Sequence, residues 1–377
     1  MRRNAIRAML GVALSAATLG GIVVGAASGV SGASPVAHAQ THAAKSNYTI
    51  ALSDSYIGNA WRKTMVAAWT QAAKEAEGEG FIKSYRVDIA SENTASAQIT
   101  QIDSLILAHV NAINIDSASP TALNPVITKA CSAGIKVVVF DSLASAPCEY
   151  NLSDPFARWG GDLAKTVVTA LHGHGNVILV EGVVGSQPNA VAVAAQKKIL
   201  AKYPGIHVVA TVDGGASAAT TESAVAAVLP SLGKVQGVIS QAGVSGALAA
   251  FKAAGRPLPV VPFSTGGLSL RTWAGILKKD PSFQASGLNT DPGQGSAALW
   301  ESILLLGGQK IDGEAIPHNL TWPLIHVTKS TLQSWLRVTP SSAEATWVWT
   351  LPEVKAGVAD NLAHKAVPAL PIPTKPV

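Results

Sequence analysis

Six side chains able to make directional contacts stand at or just past the ends of short aliphatic runs in this chain. Ser55, Asn59, Trp61 and Arg62 follow the run Tyr48-Thr-Ile-Ala-Leu-Ser53, Asp116 ends Ala112-Ile-Asn-Ile-Asp, and Asp141 ends Val137-Val-Val-Phe-Asp. Carboxylates accept hydrogen bonds, a carboxamide both donates and accepts, and an indole covers an apolar face. Arg62 adds a charge-assisted donor, to a ligand oxygen or to an aspartate. Such a set fits a small molecule that carries hydroxyls over a C–H face. Each residue also has a purely structural reading: Asp116 and Asp141 as turn caps, Asn59 as a helix cap, Trp61 as core, Arg62 on a solvated helix face. Trp159 and Trp273 are further candidates for stacking.

Enzyme chemistry has no comparable signature. The sequence lacks a Gly-x-Ser-x-Gly elbow, a Gly-x-x-x-x-Gly-Lys-Ser/Thr phosphate loop, His-Glu-x-x-His, and Gly-x-Gly-x-x-Gly after a strand. His109, His172 and His174 have no partners at metal-ligand spacing. The sequence therefore assigns no catalytic residue, metal set or cofactor.

The elements that must position the six residues follow from periodicity. β-Branched and aliphatic runs alternate with Ala-rich helical stretches, the pattern of βαβ units around parallel sheets. Strands are predicted near 48–54, 85–90, 112–116, 136–141, 175–181, 206–212, 236–240, 259–263, 284–288 and 322–327. Helices fall near 59–77, 95–109, 121–133, 156–172, 190–202, 217–229, 243–254, 268–278, 292–306 and 330–336. Ser119-Pro120 and Asp291-Pro292 read as helix starts, and Gly134, Gly205 and Gly255 as left-handed helix ends. In an open α/β sheet the crevice outside the strands' carboxyl ends is where ligands bind, and the six residues stand there.

Arg2, Arg3 and Arg7 precede an uncharged run from Ala8 to Ala37, closed by Ala37-His38-Ala39. This is the pattern of a cleaved export signal over residues 1–39. Its removal takes the formal charge from +5 to +2 by loss of those three arginines. With 14% charged residues and no basic run in the remainder, a nucleic-acid footprint is absent. About 338 of the 377 residues remain, which favours two lobes. The only two cysteines, Cys131 and Cys148, are expected to pair in the oxidising conditions an exported chain meets. Residues 338–377, with Trp347, Trp349 and prolines 340, 352, 368, 371, 373 and 376, read as a tail that docks partly and then frays.

Taken in order, several stretches resemble the periplasmic sugar-binding proteins of the ribose-binding type, substrate-binding subunits of ABC importers. They are Ser55-x-x-x-Asn59-x-Trp61, Gln98-Ile-x-Gln-Ile-x-x-Leu-Ile106, Ile115-Asp-Ser-Ala-Ser-Pro-Thr-Ala-Leu123 and Ala133-Gly-Ile-x-Val-Val-Val-Phe-Asp141. Ser153-Asp154, Gly246-Ala-Leu-Ala-Ala-Phe-Lys-Ala-Ala-Gly255 and Asn289-x-x-Pro-x-Gln-Gly295 continue the likeness, which covers nearly all of residues 48–335. The resemblance implies an α/β fold of two doubly wound parallel-sheet lobes joined by three crossovers, the type I periplasmic binding protein arrangement. One lobe would comprise 47–150 with 290–320, the other 151–289 with 321–337. The implied ligand set is Ser55, Asn59, Trp61, Asp116 and Asp141 from the first lobe and Asn289 at the hinge; Arg62 and, in the second lobe, Asn189, Gln241 and Ser264 are further candidate contacts beside it. Two positions depart from the ribose type: Asn189-Ala190 stands where that type has an arginine, and Phe263-Ser264 where it has Phe-Asp.

The implied function is capture of a sugar or polyol by an exported monomer in the periplasm or on the extracellular side of the cell envelope, with delivery to importer membrane subunits. Two other readings are a carbohydrate-processing α/β enzyme using Asp116 and Asp141 as acid and base, and a sensor subunit presenting its loaded form to a membrane receptor.

Overall fold

The computed structural model describes residues 46–365 and 370–373, so the export signal read over 1–39 lies outside the described residues. The chain runs through β1 (Thr49–Asp54), α1 (Ala60–Gly78), β2 (Ser84–Ile89), α2 (Ala95–Leu107), β3 (Ala112–Asp116), α3 (Asn124–Ser132), β4 (Lys136–Phe140) and β5 (Tyr150–Ser153). It continues with α4 (Phe156–Ala170), β6 (Gly175–Glu181), α5 (Gln187–Leu200), β7 (Ile206–Asp213), α6 (Ala218–Val228), β8 (Gly237–Ser240), α7 (Val244–Ala253), α8 (Gly267–Lys279) and β9 (Gly287–Thr290). Last come α9 (Gln294–Leu306), β10 (Asn319–Thr321), β11 (Leu324–Val327), α10 (Leu332–Val338) and α11 (Leu351–Leu362).

Two parallel sheets organise these elements. The first has the order β10-β5-β4-β3-β1-β2. Its central strands are buried throughout, which is why β4 reads as an unbroken Val-Val-Val-Phe run rather than an alternating one. One face packs Trp69 of α1 and Trp300 of α9 against Leu52 and Val138, and the other packs Ile102 of α2 and Ile127 of α3 against Ile113 and Val139. The second sheet is β7-β6-β8, with β9 paired antiparallel to β11 beyond it. Side chains of β6 alternate between two cores, Ile178 and Val180 joining Phe251 and Trp273, and Val177 and Leu179 joining Leu163 and Trp159. The chain passes between the sheets after β5, β9 and β10, the three crossovers of this fold.

The structure differs from the sequence reading at identifiable places. Residues 259–263 form only single bridges, at Val260 and Phe263, because Pro257, Pro259 and Pro262 cannot donate to a ladder. The short strands β5 and β10, the last of which forms one edge of the first sheet, carry too little apolar pattern to be read. Thr321 pairs with Ser153, and Trp322 sits in the first sheet's core, so the passage to the second sheet comes two residues later than expected. Ser119 caps a turn through the amides of Thr121 and Ala122, while α3 itself begins at Asn124 with Pro125 behind it. Gly134 and Gly255 are left-handed, but Gly205 is not; a Cβ there would stand 2.6 Å from the His174 ring and 2.7 Å from the carbonyl of Gly173.

The carboxy-terminal stretch contains a helix that the sequence reading lacks. Thr350 and Glu353 form a reciprocal capping box with Pro352 in the first turn, and Val354 and Val358 of α11 are buried against the first sheet's core. The approach to α11 is anchored by Asp291, whose carboxylate accepts from Gly293 N, Thr346 Oγ1, Trp347 N and Trp349 Nε1 at 2.9–3.0 Å. Residues 366–369 and 374–377, part of the tail expected to fray, lie outside the described residues.

Candidate functional site

A cleft of about 380 Å³ opens where the carboxyl ends of β1 and β4 face those of β6 and β8. Its first wall carries Tyr56, Asn59, Trp61, Arg62 and Asp141; its second carries Trp159, Asn189, Gln241, Ser264 and Glu344, with Asn289 between them.

The first wall is built on a charge cluster that strand register dictates. Asp54 and Asp116 are register partners on adjacent parallel strands, so their carboxylates emerge side by side. Arg62, in the first turn of α1, reaches back between them, hydrogen-bonded to Asp54 and 2.6 Å from Asp116. Ser55 Oγ accepts from the same guanidinium at 3.3 Å, and the Tyr56 ring lies 5.0 Å from its centre. Burial pushes the guanidinium's pKa down, but Asp116, Asp54 and Asp141 outweigh it and hold the group above its ordinary value. Burial drives Asp54 and Asp116 upward against the pull of Arg62, since one guanidinium cannot neutralise every carboxylate around it.

Ser55 and Asp116 therefore do not face the cleft. Both are sealed behind Arg62, at 1% and 0% exposure, and hold that side chain in place. Asp116 was expected to accept directly from a ligand; it is instead buried with its register partner Asp54, and Arg62 is the member of the cluster that lines the cleft.

Asp141 does reach the cleft. It follows β4 in the left-handed region at φ 52°, a conformation costly for a non-glycine residue, and its N–H donates to Gln294 Oε1 at 3.3 Å. The other end of the Gln294 amide donates to Asp154 Oδ2 at 2.5 Å, so one carboxamide ties the end of β4 to the crossover after β5. Burial lifts the Asp141 carboxyl to about 6, against the attraction of Arg62 and with the repulsion of Asp54.

Asn59 fills its structural and its site position together. Its Oδ1 caps α1 by accepting from Arg62 N at 2.8 Å, and its Nδ2 donates to Tyr56 Oη at 2.8 Å. Trp61 stands half-buried in the wall with Nε1 donating to the Thr290 carbonyl at 3.3 Å. Across the cleft, Asn189 Oδ1 accepts from Gly182 N at 2.9 Å and from Gln241 Nε2 at 2.8 Å. That leaves Asn189 Nδ2 as a donor and Gln241 Oε1 as an acceptor with no partner among the described residues. Ser264 adds a hydroxyl, and Asn289 Nδ2 donates to Glu344 Oε2 at 3.5 Å.

Of the two further tryptophans, Trp159 lines the cleft, whereas Trp273 is fully buried and stacks on Phe263 at 5.5 Å. Sequence reading missed Asp54, Tyr56 and Glu344. Asp54 was within reach, because it ends β1 as Asp116 ends β3. Glu344 was not, because nothing local ties a residue so far along the chain to the cleft. Cys131 and Cys148 are bonded, with Cα atoms 6.4 Å apart, which pins the loop after Asp141 to α3. Among the described residues no group of three His, Cys, Asp or Glu side chains is placed to hold a metal ion.

Residues 50–310 match the family described as periplasmic binding protein domain. The chain belongs to this family. An ABC transporter solute-binding protein from Thermobispora bispora is 41% identical, with a TM-score of 0.81 over 87% of this chain and 99% of that one. An ABC transporter periplasmic solute-binding protein from Actinobacillus succinogenes, solved with D-allose bound, shares the fold at 20% identity and TM-score 0.66 over 76% of this chain and 99% of its own. A xylitol-binding protein of Mycolicibacterium smegmatis is 28% identical over 122 residues, 32% of this chain. That match spans about a third of the relative's length, 35%. Every residue of the sequence-derived set except Ser55 and Asp116 lines the cleft.

Proposed function

We propose that this exported protein captures a neutral sugar or polyol in the cleft and hands it to the membrane subunits of an ABC importer. One observation carries the reading. The cleft's walls offer mixed donors and acceptors around the Trp61 and Trp159 rings, while Arg62, the one cationic side chain among the described lining residues, is committed to Asp54 and Asp116. A hydroxyl answers both donors and acceptors; a carboxylate or phosphate on the ligand would find no free cation and would face Asp141 and Glu344. The ligands of relatives, xylitol and D-allose, are of the neutral class.

The burial of Asp116 behind Arg62 weakens the enzyme alternative, since that carboxylate cannot pair with Asp141 as acid and base on a substrate in the cleft. A thermal-shift screen across pentoses, hexoses, polyols and sugar acids tests the proposal. A ligand at a hundredfold excess over its dissociation constant adds about 2.7 kcal/mol to stability. Stabilisation by a neutral compound, recovered unchanged, is expected; a response confined to sugar acids, or turnover of the compound, would overturn it.

A further inference from the structure

We infer that Glu344 is a ligand contact of the second wall and sets the protein's choice among hydroxylated ligands. The inference rests on the sugar or polyol reading above. Glu344 lies beyond residues 50–310 that match the family, on the segment between α10 and α11.

Three backbone contacts fix its position. Gly267 N–H donates to the Ala343 carbonyl at 2.8 Å and Ala345 N–H to the Thr265 carbonyl at 3.1 Å, which lays the segment along the start of α8. The amide of Glu344 itself donates to Thr64 Oγ1 of α1 at 3.1 Å, on the opposite lobe. The side chain then lies over Gly266, where a Cβ would stand 2.6 Å from Oε1; a bare backbone makes room for the carboxylate.

The carboxylate reaches the cleft with unspent acceptor capacity. Asn289 Nδ2 donates to it from 3.5 Å and the Thr265 side chain lies beside it, and among the described residues no cation lies within ion-pair distance. The charged groups of the neighbouring elements are otherwise engaged. Arg271 of α8 donates to the carbonyls of Gly267 and Thr339, and Arg62 of α1 is held by Asp54 and Asp116. Asp141, on the far wall, is the other carboxylate of the cleft. A half-buried carboxylate without a counter-charge favours a donor brought by the ligand, and adjacent hydroxyls of a polyol are such donors. Burial also pushes Glu344 up to about 7, so a donor that stabilises the charged form releases a proton on binding near neutral pH.

The test is calorimetric titration of Glu344→Gln and the unaltered protein with xylitol, myo-inositol and D-allose between about pH 5.5 and 8.5, a window that spans the ordinary-to-raised carboxylate range. The expected result is at least tenfold weaker binding of the preferred compound by the variant at the upper end of that window. The variant should also lose the component of the pH profile near 7, and keep the one near 6 that belongs to Asp141. Melting of both proteins without ligand checks the fold; should Glu344→Gln not fold, Glu344→Asp, which keeps the charge but withdraws it by one methylene, carries the same comparison. Equal affinity, or a loss that leaves the component near 7 in place, would overturn the role of Glu344 alone. No binding of any of the three by the unaltered protein would overturn the sugar or polyol reading, and this inference with it.

Discussion

Arg62 stands 2.6 Å from Asp116 behind the cleft wall, with Asp54 bound to the same guanidinium. The arrangement follows from register: two aspartates at adjacent parallel strand ends would repel each other, and the first turn of the following helix supplies the one cation that lets both be buried. The cluster supports the cleft's first wall as well as the fold, because Arg62 carries the Tyr56 ring above it.

Replacing Arg62 by Met should therefore cost stability before it costs recognition. Two buried carboxylates lose their counter-charge, and breaking such a pair typically costs about 3–5 kcal/mol. Their folded-state pKa values, already raised by burial, rise further in the variant. The deficit should accordingly shrink in acid, as pH falls below the raised values at which both carboxyls take up protons in the folded proteins. Denaturant melts of both proteins at neutral and acid pH measure this, and a pH-independent deficit would contradict it.

Asn59 and Asp141 should separate under mutation. Asn59→Ala removes the cap of α1 and costs about 1 kcal/mol of stability in addition to any loss of binding. Asp141→Ala leaves the fold standing, its neighbours being fixed by Gln294 through the backbone, and weakens ligand binding by about 1–3 kcal/mol. Because burial lifts Asp141 to about 6, affinity should fall as pH drops through that value, where the acceptor becomes protonated. Calorimetry paired with melting of each variant tests the split; equal stability losses in the two would refute it.

Glu301 offers a test free of any ligand. Its carboxylate is fully buried on α9 with neither oxygen hydrogen-bonded, and burial raises it to about 8. A carboxyl whose folded value exceeds its unfolded one binds more protons when folded, so stability declines from about pH 4.5 up to about pH 8. Glu301→Gln should remove that decline and add on the order of 2 kcal/mol near neutral pH. Melting temperatures of the two proteins that run parallel across this range would dismiss the idea.

What the sequence disclosed divides along local and non-local lines. β4, with Asp141 at its end, was legible because Val137-Val-Val-Phe140 is an unbroken buried run closed by a polar residue. α11 was legible in principle, through Thr350, Pro352 and Glu353, but the prolines around it read as breakers when one of them starts the helix. Asp116 shows the limit on the site. Its strand end was placed correctly, yet only the register with Asp54 reveals that Arg62 closes over it. Glu344 was invisible because it reaches the cleft through backbone pairing with Thr265 and Gly267, which leaves no periodic trace.

The Cys131–Cys148 bond closes a sequence separation of 17 residues, which on the chain-entropy estimate contributes about 3 kcal/mol. Reduction should lower the melting temperature and, since the bond pins the loop after Asp141, weaken ligand binding as well. Thiol titration of the unfolded, unreduced protein should find no free thiol. Two thiols, or a melt indifferent to reductant, would count against the bond.

Ligand should draw the two lobes together. Asn59, Asp141 and Trp61 stand on one wall and Asn189, Gln241 and Ser264 on the other, so a small molecule satisfies both sets only when they approach. That difference in contacts is the free energy that closure requires. The three crossovers, after β5, β9 and β10, are short and element-terminal, as hinges are. Besides these three, the segment from Thr339 to Thr350 also runs from the second lobe to the first, and the amide of Glu344 donates to Thr64 Oγ1 on the way. Small-angle scattering with and without a saturating ligand should show a smaller radius of gyration in the loaded protein. Superimposable curves at saturation would mean that the cleft is already closed and that binding proceeds without lobe motion.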